Sequence, residues 1–336
     1  MEWNEEINLS ERSMTSRLIV ECVLARKWRI CGFKTNRSIF LIYIPGREEP
    51  VRIFSASPPQ MSYPSVKIAK DKYITNQILN SVGVPTPEEL LVNVSSYDQT
   101  ELEKFMSSHH KIVVKPLDAS HGKGITVNID TLEKLLEAIE QTKKYSTNQN
   151  IIIQEQVEGI DARIICINYE FINAYSRVPA SVTGDGISSI EELILLTNAS
   201  EHRGESYKAP LNTISVEQVT RYLGEEELSI IPKAGEDVQV IGVSNLGMGG
   251  VRINLADRIP EELKTLAIKA AKTIGLPVCG IDFIIDHLPD KDSKLQDLNP
   301  RLIEVNDCPS LTMYEDLRSE EQRKVIEQYL DFVALS

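Results

Sequence analysis

The sequence contains no apolar run approaching the roughly 18 residues of a membrane span. Its opening, MEWNEEINLSERS, lacks the basic start and apolar centre of a signal peptide, so a cytoplasmic protein is expected. Cysteine spacing of the CxxC or CxxH kind is also missing. The five cysteines, Cys22, Cys31, Cys166, Cys279 and Cys308, are scattered and odd in number, which argues against a disulfide framework; four of them lie in apolar stretches and read as buried thiols. The five histidines form no HExxH pattern, which removes the commonest zinc signature. Basic charge is in deficit as well: the net charge of −13 disfavours a general nucleic-acid binder and makes any basic residue near a site noteworthy. No internal repeat or low-complexity segment interrupts the chain. Its 336 residues suffice for two or three closely packed subdomains with a substantial core.

What is present is an alternation of helical and strand patterns. Residues 14–28 place Leu18, Cys22 and Ala25 near one face of an amphipathic helix, and SIFLIYI follows as a strand. KDKYITNQILNSVGVPTP reads as a helix closed by Gly83 and then by Pro85 and Pro87. Residues 111–153 read strand, glycine loop, strand, helix, strand, the helix starting at Asp130 or Thr131 with Leu132, Leu135, Leu136 and Ile139 on its core face. GDGISSIEEL predicts a turn and a helix with Ser188 and Glu191 as a capping box. Pro260 opens a helix with a stripe of Leu263, Leu266, Ala267, Ala270 and Ile274, ended by Gly275. VCGIDFII and RLIEVN read as core strands joined by a polar loop, whereas the acidic stretch 197–240 follows no clear pattern.

Two features carry chemistry. KPLDASHGKGITV sets Lys123 between glycines and between two strands, where backbone N–H groups and one cation can approach a polyphosphate. On its own, this loop serves equally as a hairpin turn. The second feature is Asp282 inside an apolar strand, with Glu304 and Asn306 on one face of another. Burying such carboxylates costs several kcal/mol or more unless a cation compensates, and two carboxylates with an amide suit Mg²⁺ that completes its shell with water and phosphate. Strand alternation that turns both acids to solvent is the competing reading. A phosphate loop together with a magnesium set points to nucleotide binding.

In that light the chain resembles the ATP-grasp carboxylate-amine ligases, in particular the ATP-grasp portions of cyanophycin synthetase and bifunctional glutathione synthetase. The likeness covers roughly residues 66–315 and rests on DKYITNQILNSVGVPTP, VVKPLDASHGKGI, QEQVEGIDARI, RVPASVTGDGISSIEEL, NLGMGG, GIDFI and IEVNDCPSL, in that order. It implies an α+β ATP-grasp fold, with two α/β subdomains gripping nucleotide between them. The implied organisation is a small N-terminal α/β domain over 1–65, a linker helix region over 66–107, a nucleotide-binding lid subdomain over 108–165, and a C-terminal ATP-grasp subdomain over 166–336. That last part would hold the metal site and an insertion near 184–240.

By the same resemblance, Lys72 and Lys115 contact nucleotide phosphates, and the loop carrying Ser120, His121, Gly122, Lys123 and Gly124 is the lid over them. The Glu155, Gln156 and Val157 backbone receives adenine, Asp161 meets the ribose hydroxyls, and Asp282, Glu304 and Asn306 hold Mg²⁺. Arg163 and Arg177 face the phosphoryl and acyl groups, with Arg177 or Arg252 at the oxyanion of a tetrahedral intermediate; surface or salt-bridged arginines are the alternative. The loop SNLGMGG is expected to close over the acceptor.

The chain departs from its relatives at Gly247 and Met248, at Arg252, where relatives tend to carry a small residue, and at Asp307, Cys308 and Ser310. Substrate identity therefore does not carry over. Neither a Mur-ligase-like half nor a glutamate-cysteine ligase half accompanies the ATP-grasp motifs, so the expectation is a stand-alone ligase. It would use ATP and Mg²⁺ on small-molecule or peptide carboxylate and amine substrates, without nucleic acid or membrane, and with a homodimer as a candidate assembly. The rival classes are an ATP-grasp kinase or peptide macrocyclase, and a non-catalytic nucleotide-binding protein.

Overall fold

Helix caps and strand alternation account for most of the elements seen in the computed structural model, which describes residues 7–117, 124–146, 149–204, 209–242, 246–314 and 316–336. The chain divides into two compact units. One unit comprises Met1–Gln60, Asp161–Arg258 and Cys308–Ser336; the other comprises Met61–Ile160 and Ile259–Asp307.

In the first unit, Ser13 caps the helix Met14–Ala25 by accepting from the Ser16 N–H, and the helix buries Leu18, Ile19, Cys22 and Val23. The strands Arg29–Gly32, Ile39–Tyr43 and Val51–Phe54 form an antiparallel sheet in that order, and alternate residues such as Phe40, Ile42 and Ile53 point to the core. A helix the sequence reading passed over, Glu320–Val333, packs on Met14–Ala25; Arg26 pairs with Glu327 and, at 2.7 Å, with Asp331. The strands Ile160–Ile167, Glu170–Val178 and Val251–Asn254 pair antiparallel, with Arg163 opposite Tyr175 and Arg177 opposite Arg252.

The chain between the last two of these strands builds a core of its own from Ile190, Leu193, Ile194, Ile214, Val219 and Leu228. Its first helix, Ile190–Asn198, carries a capping box one residue later than expected, at Ser189 and Glu192. Ser188 is diverted because its N–H and hydroxyl both donate to Asp185, at 2.7 Å each.

In the second unit, the helices Tyr63–Lys70, Lys72–Ser81 and Glu261–Ile274 pack together. The expected stripe from Leu263 to Ile274 is buried there, which is why the 259–307 segment joins residues 61–160 and not the rest of the C-terminal part. Gly275 ends the last helix at φ +79°, and a Cβ there would lie 2.7 Å from the Ser65 hydroxyl. An antiparallel sheet runs in the order Glu89–Asn93, Asn150–Glu155, Ile112–Pro116, Thr126–Ile129. It is covered by the helix Leu132–Thr142, capped by Thr131, whose Leu135 and Ile139 are fully buried. The strands Val278–Ile285 and Arg301–Asn306 pair antiparallel, and the polar loop between them contains the short helix Leu295–Leu298.

Candidate active site

Lys115 lies on the strand Ile112–Pro116, is only 5 % exposed, and donates to Gln154 Oε1 at 2.9 Å. Register explains the contact: Lys115 faces Ile152 across the strand pair, so Gln154 is its diagonal neighbour on the same face. Gln154 in turn faces Glu89 on the other side and donates to Glu89 Oε2 at 3.0 Å, while Asn76 donates to the same oxygen at 2.8 Å. Burial pushes the Lys115 ammonium down to about 8, opposed by attraction to Glu89, with Lys72 adding to the lowering and Glu304 opposing it. Burial likewise raises the Glu89 carboxyl, against the hydrogen bond from Asn76, the charge of Lys115 and the hydrogen bond from Gln154. Glu89 Oε1 is buried without a partner. A buried lysine poised in this way has its affinity for anions set by its surroundings.

Lys72 is the first residue of the helix Lys72–Ser81, directly after its N-cap Asp71. A cation there opposes the helix dipole, and the Asp71 carboxylate, which accepts from the Ile74 N–H at 3.0 Å, supplies an anion at that end. Its Nζ lies 3.5 Å from Glu304 Oε1. Glu304 stands opposite Asp282 in the strand pair, and Asp282 is only 4 % exposed, so the expected burial holds for the aspartate while Glu304 remains part-exposed. Two carboxylates opposite one another repel, and Lys72 beside Glu304 offsets part of that charge. On the same strand, Asn306 has a buried Nδ2 without a hydrogen-bond partner. Among the described residues no cluster of three His, Cys, Asp or Glu side chains forms a closed metal cage. The donor set is therefore two carboxylates and one uncommitted amide, which fits a Mg²⁺ that keeps waters and takes phosphate oxygens.

The Glu155, Gln156 and Val157 segment follows the strand Asn150–Glu155. Two of its three N–H groups are already used: Glu155 donates to the Glu88 carbonyl and Gln156 to the Lys111 carbonyl, each at 2.9 Å. Among the described residues the Val157 N–H has no backbone acceptor. The Gln156 side chain closes on Asn128, accepting from its N–H at 2.6 Å. Ser120, His121, Gly122 and Lys123 lie outside the described residues. Gly124 adopts φ +73°, and a Cβ on it would come within 2.9 Å of the Tyr145 side chain, so glycine is required there by space as well as by backbone.

The remaining residues singled out from sequence belong to the first unit. Asp161 receives Arg177 through the backbone N–H at 3.2 Å, through Nε at 2.8 Å and through Nη2 in a bidentate pair. Any ribose contact by Asp161 would share its carboxylate with this arginine. Arg163 is two residues along the same strand, hence on the same face, and Arg252 sits opposite Arg177 with its guanidinium 5.5 Å from the Tyr175 ring centre. Three arginines and one aspartate thus mark a basic patch on an acidic protein.

Sequence reasoning missed Glu89, Asn76 and Gln154. Only Gln154 left a signal, as a polar residue ending the run Ile151–Ile153.

Comparison with known proteins places these residues in a wider context. Residues 86–186 match the prokaryotic glutathione synthetase ATP-grasp domain, and residues 241–329 match the RimK-like ATP-grasp domain. The chain is 34% identical over 253 residues to cyanophycin synthetase of Synechocystis sp., covering 74% of this chain and 28% of that protein. It is 30% identical over 282 residues to the glutathione biosynthesis bifunctional protein GshAB of Clostridium perfringens, covering 81% and 35%. The chain thus spans about a third of the length of the curated relatives it matches. Among solved structures, a bifunctional glutathione synthetase from Pasteurella multocida superposes with a TM-score of 0.71 at 21% identity, over 96% of this chain and 45% of that one.

Proposed function

Because the chain belongs to the ATP-grasp family, we propose that it is an ATP-dependent carboxylate-amine ligase, forming an amide or peptide bond through an acyl phosphate and releasing ADP and phosphate. The observation that carries this reading is the meeting of Lys72, the buried Lys115 and the Asp282–Glu304 strand pair within one unit. A relative named cyanophycin synthetase and one named for glutathione biosynthesis support it.

Lys72 and Lys115 bind the phosphates of ATP, and the Val157 N–H takes an acceptor nitrogen of adenine. Asp282, Glu304 and Asn306 would hold Mg²⁺, which neutralises phosphate charge and steadies the transferred group when bound. The substrate carboxylate oxygen attacks the γ-phosphorus and the bond to the bridging oxygen breaks, leaving ADP. The amine then adds to the acyl carbon, loses its proton to solvent or a base, and phosphate departs. Arg163 and Arg177 offset charge on the acyl phosphate and on the tetrahedral oxyanion. No side-chain nucleophile is needed. Five cysteines outside any disulfide agree with a cytoplasmic setting.

Hydroxylamine tests the reading directly. Added to protein, MgATP and an acid substrate, it replaces the amine and converts the acyl phosphate to a hydroxamate. ADP formation with a stable phosphorylated product and no hydroxamate would instead identify a kinase. No ADP formation with any acid, amine or peptide would identify a nucleotide-binding protein without catalysis.

A further inference from the structure

The first unit carries an open cavity of about 350 Å³ in which, among the described residues, Arg252 is the only ionised lining residue. Its Nε is buried without a hydrogen-bond partner, and Nη1 reaches the Pro210 carbonyl only at 3.4 Å. No carboxylate pairs with Arg252 among the described residues, although the neighbouring Arg177 is held by Asp161. The cavity is also lined by Ser13, Met14 and Thr15, the N-cap and first turn of the 12-residue helix Met14–Ala25. That helix end adds partial positive charge to the charge of Arg252. A polar wall completes the site: Thr15 and Thr312 are each 4 % exposed, and the hydroxyls of Ser310 and Thr312 lie 2.6 Å apart, with Thr15 Oγ1 at 3.4 Å from Ser310.

We propose that this cavity binds a small carboxylic acid of amino-acid size, with Arg252 and the helix N-terminus gripping the carboxylate and the Thr15, Ser310 and Thr312 hydroxyls reading its polar remainder. The volume sits at the low end for ligand sites, enough for a single small metabolite. One arginine with five donors in a planar fork matches a carboxylate in two parallel hydrogen bonds. Thr15 Oγ1 already accepts from the Leu311 N–H at 3.0 Å and Ser310 Oγ from the Thr312 N–H at 3.3 Å, so a ligand amine or amide would meet only the remaining lone pairs of these hydroxyls and of the Pro210 carbonyl, which inorganic phosphate would leave unused. Calling the ligand a substrate rests on the ligase reading; the binding itself does not.

Cys308 supplies the test, because it lines the same cavity and is the one cysteine of the five that is not buried. The rate of Cys308 carboxamidomethylation by iodoacetamide is followed by mass spectrometry on the full chain without nucleotide. The probes are the standard L-amino acids, their carboxamides, and inorganic phosphate. At ten times its dissociation constant, a free amino acid is expected to slow alkylation about ten-fold by mass action. Its carboxamide should give no protection. Arg252→Met and Arg252→Lys should both lose the protection, while Thr15→Val should change which amino acid protects. Protection by phosphate alone, equal protection by the carboxamide, or no protection by any acid would overturn the proposal. Since ATP is absent, a protein that fails the hydroxylamine test can still pass this one.

Discussion

Gln154 stands between the ammonium of Lys115 and the carboxylate of Glu89, accepting from one at 2.9 Å and donating to the other at 3.0 Å. The two charges therefore attract through an amide and not by direct contact. Glu89 acts as a positioning residue that keeps a buried lysine protonated.

Removing that charge should be visible in a pH profile. Glu89 raises the Lys115 ammonium toward its ordinary range, so Glu89→Gln should move the alkaline loss of ATP affinity to lower pH, with affinity at pH 6 little changed. Titration calorimetry across pH 6 to 9 checks it. Superimposable profiles would show that the Glu89 charge does not reach Lys115.

Stability without ligand should respond in the opposite sense to ATP affinity. The folded-state value of Lys115, about 8, lies below its ordinary 10.5, so the unfolded chain binds more protons between those values and the wild type gains stability as pH rises through that window. Below pH 8 the buried charge costs on the order of 3 kcal/mol, by the conversion of pKa shift to free energy. Lys115→Met lacks this dependence, so its melting-temperature advantage over wild type should be largest below pH 8 and shrink up to 10.5.

Val157→Pro deletes the one hinge N–H without a backbone acceptor among the described residues. ATP affinity should fall about ten-fold, the worth of one well-made hydrogen bond, with little loss of melting temperature. The same change at Gln156 would break its bond to the Lys111 carbonyl and should destabilise the fold instead. Equal affinity for Val157→Pro and wild type would remove adenine from this edge.

Asp282→Asn and Glu304→Gln should each lower ATP turnover at least about a hundred-fold, because each removes charge from the metal set. Raising Mg²⁺ should recover part of the loss for Glu304→Gln, whose site is more exposed. Full activity at low Mg²⁺ in either variant would retire these residues as ligands.

Most elements were legible because their signals are local. The helix Glu261–Ile274 announces itself by an apolar stripe and Gly275, and Val278–Ile285 by an apolar run broken only by Asp282. Strand signals also sufficed to draw attention to Asp282 and Glu304, since charge inside an apolar run needs an explanation. What escaped depends on register. Glu89 and Gln154 are ordinary polar residues until the pairing of Glu89–Asn93 with Asn150–Glu155 sets them opposite each other. The pairing of Asp161 with Arg177 arises in the same way, from a hairpin turning at Asn168 and Tyr169, both at positive φ without a glycine to mark the turn. The capping box was shifted by one residue because SSIEE offers the same spacing twice, and Asp185 decides between the two serines.

Val178 pairs with Val251, so the chain that leaves one strand for the segment centred on Ile190, Leu193 and Val219 returns beside its point of departure. Entry and exit a single strand spacing apart make that segment a cassette: its length and content can vary between descendants at little loop-closure cost while the parent strands keep their register. The arginines at its neck, Arg177 and Arg252, belong to those parent strands. Exchange of the cassette would therefore change what surrounds the two guanidiniums and leave the guanidiniums in place, a route by which one scaffold acquires new substrates through recombination at a single hairpin.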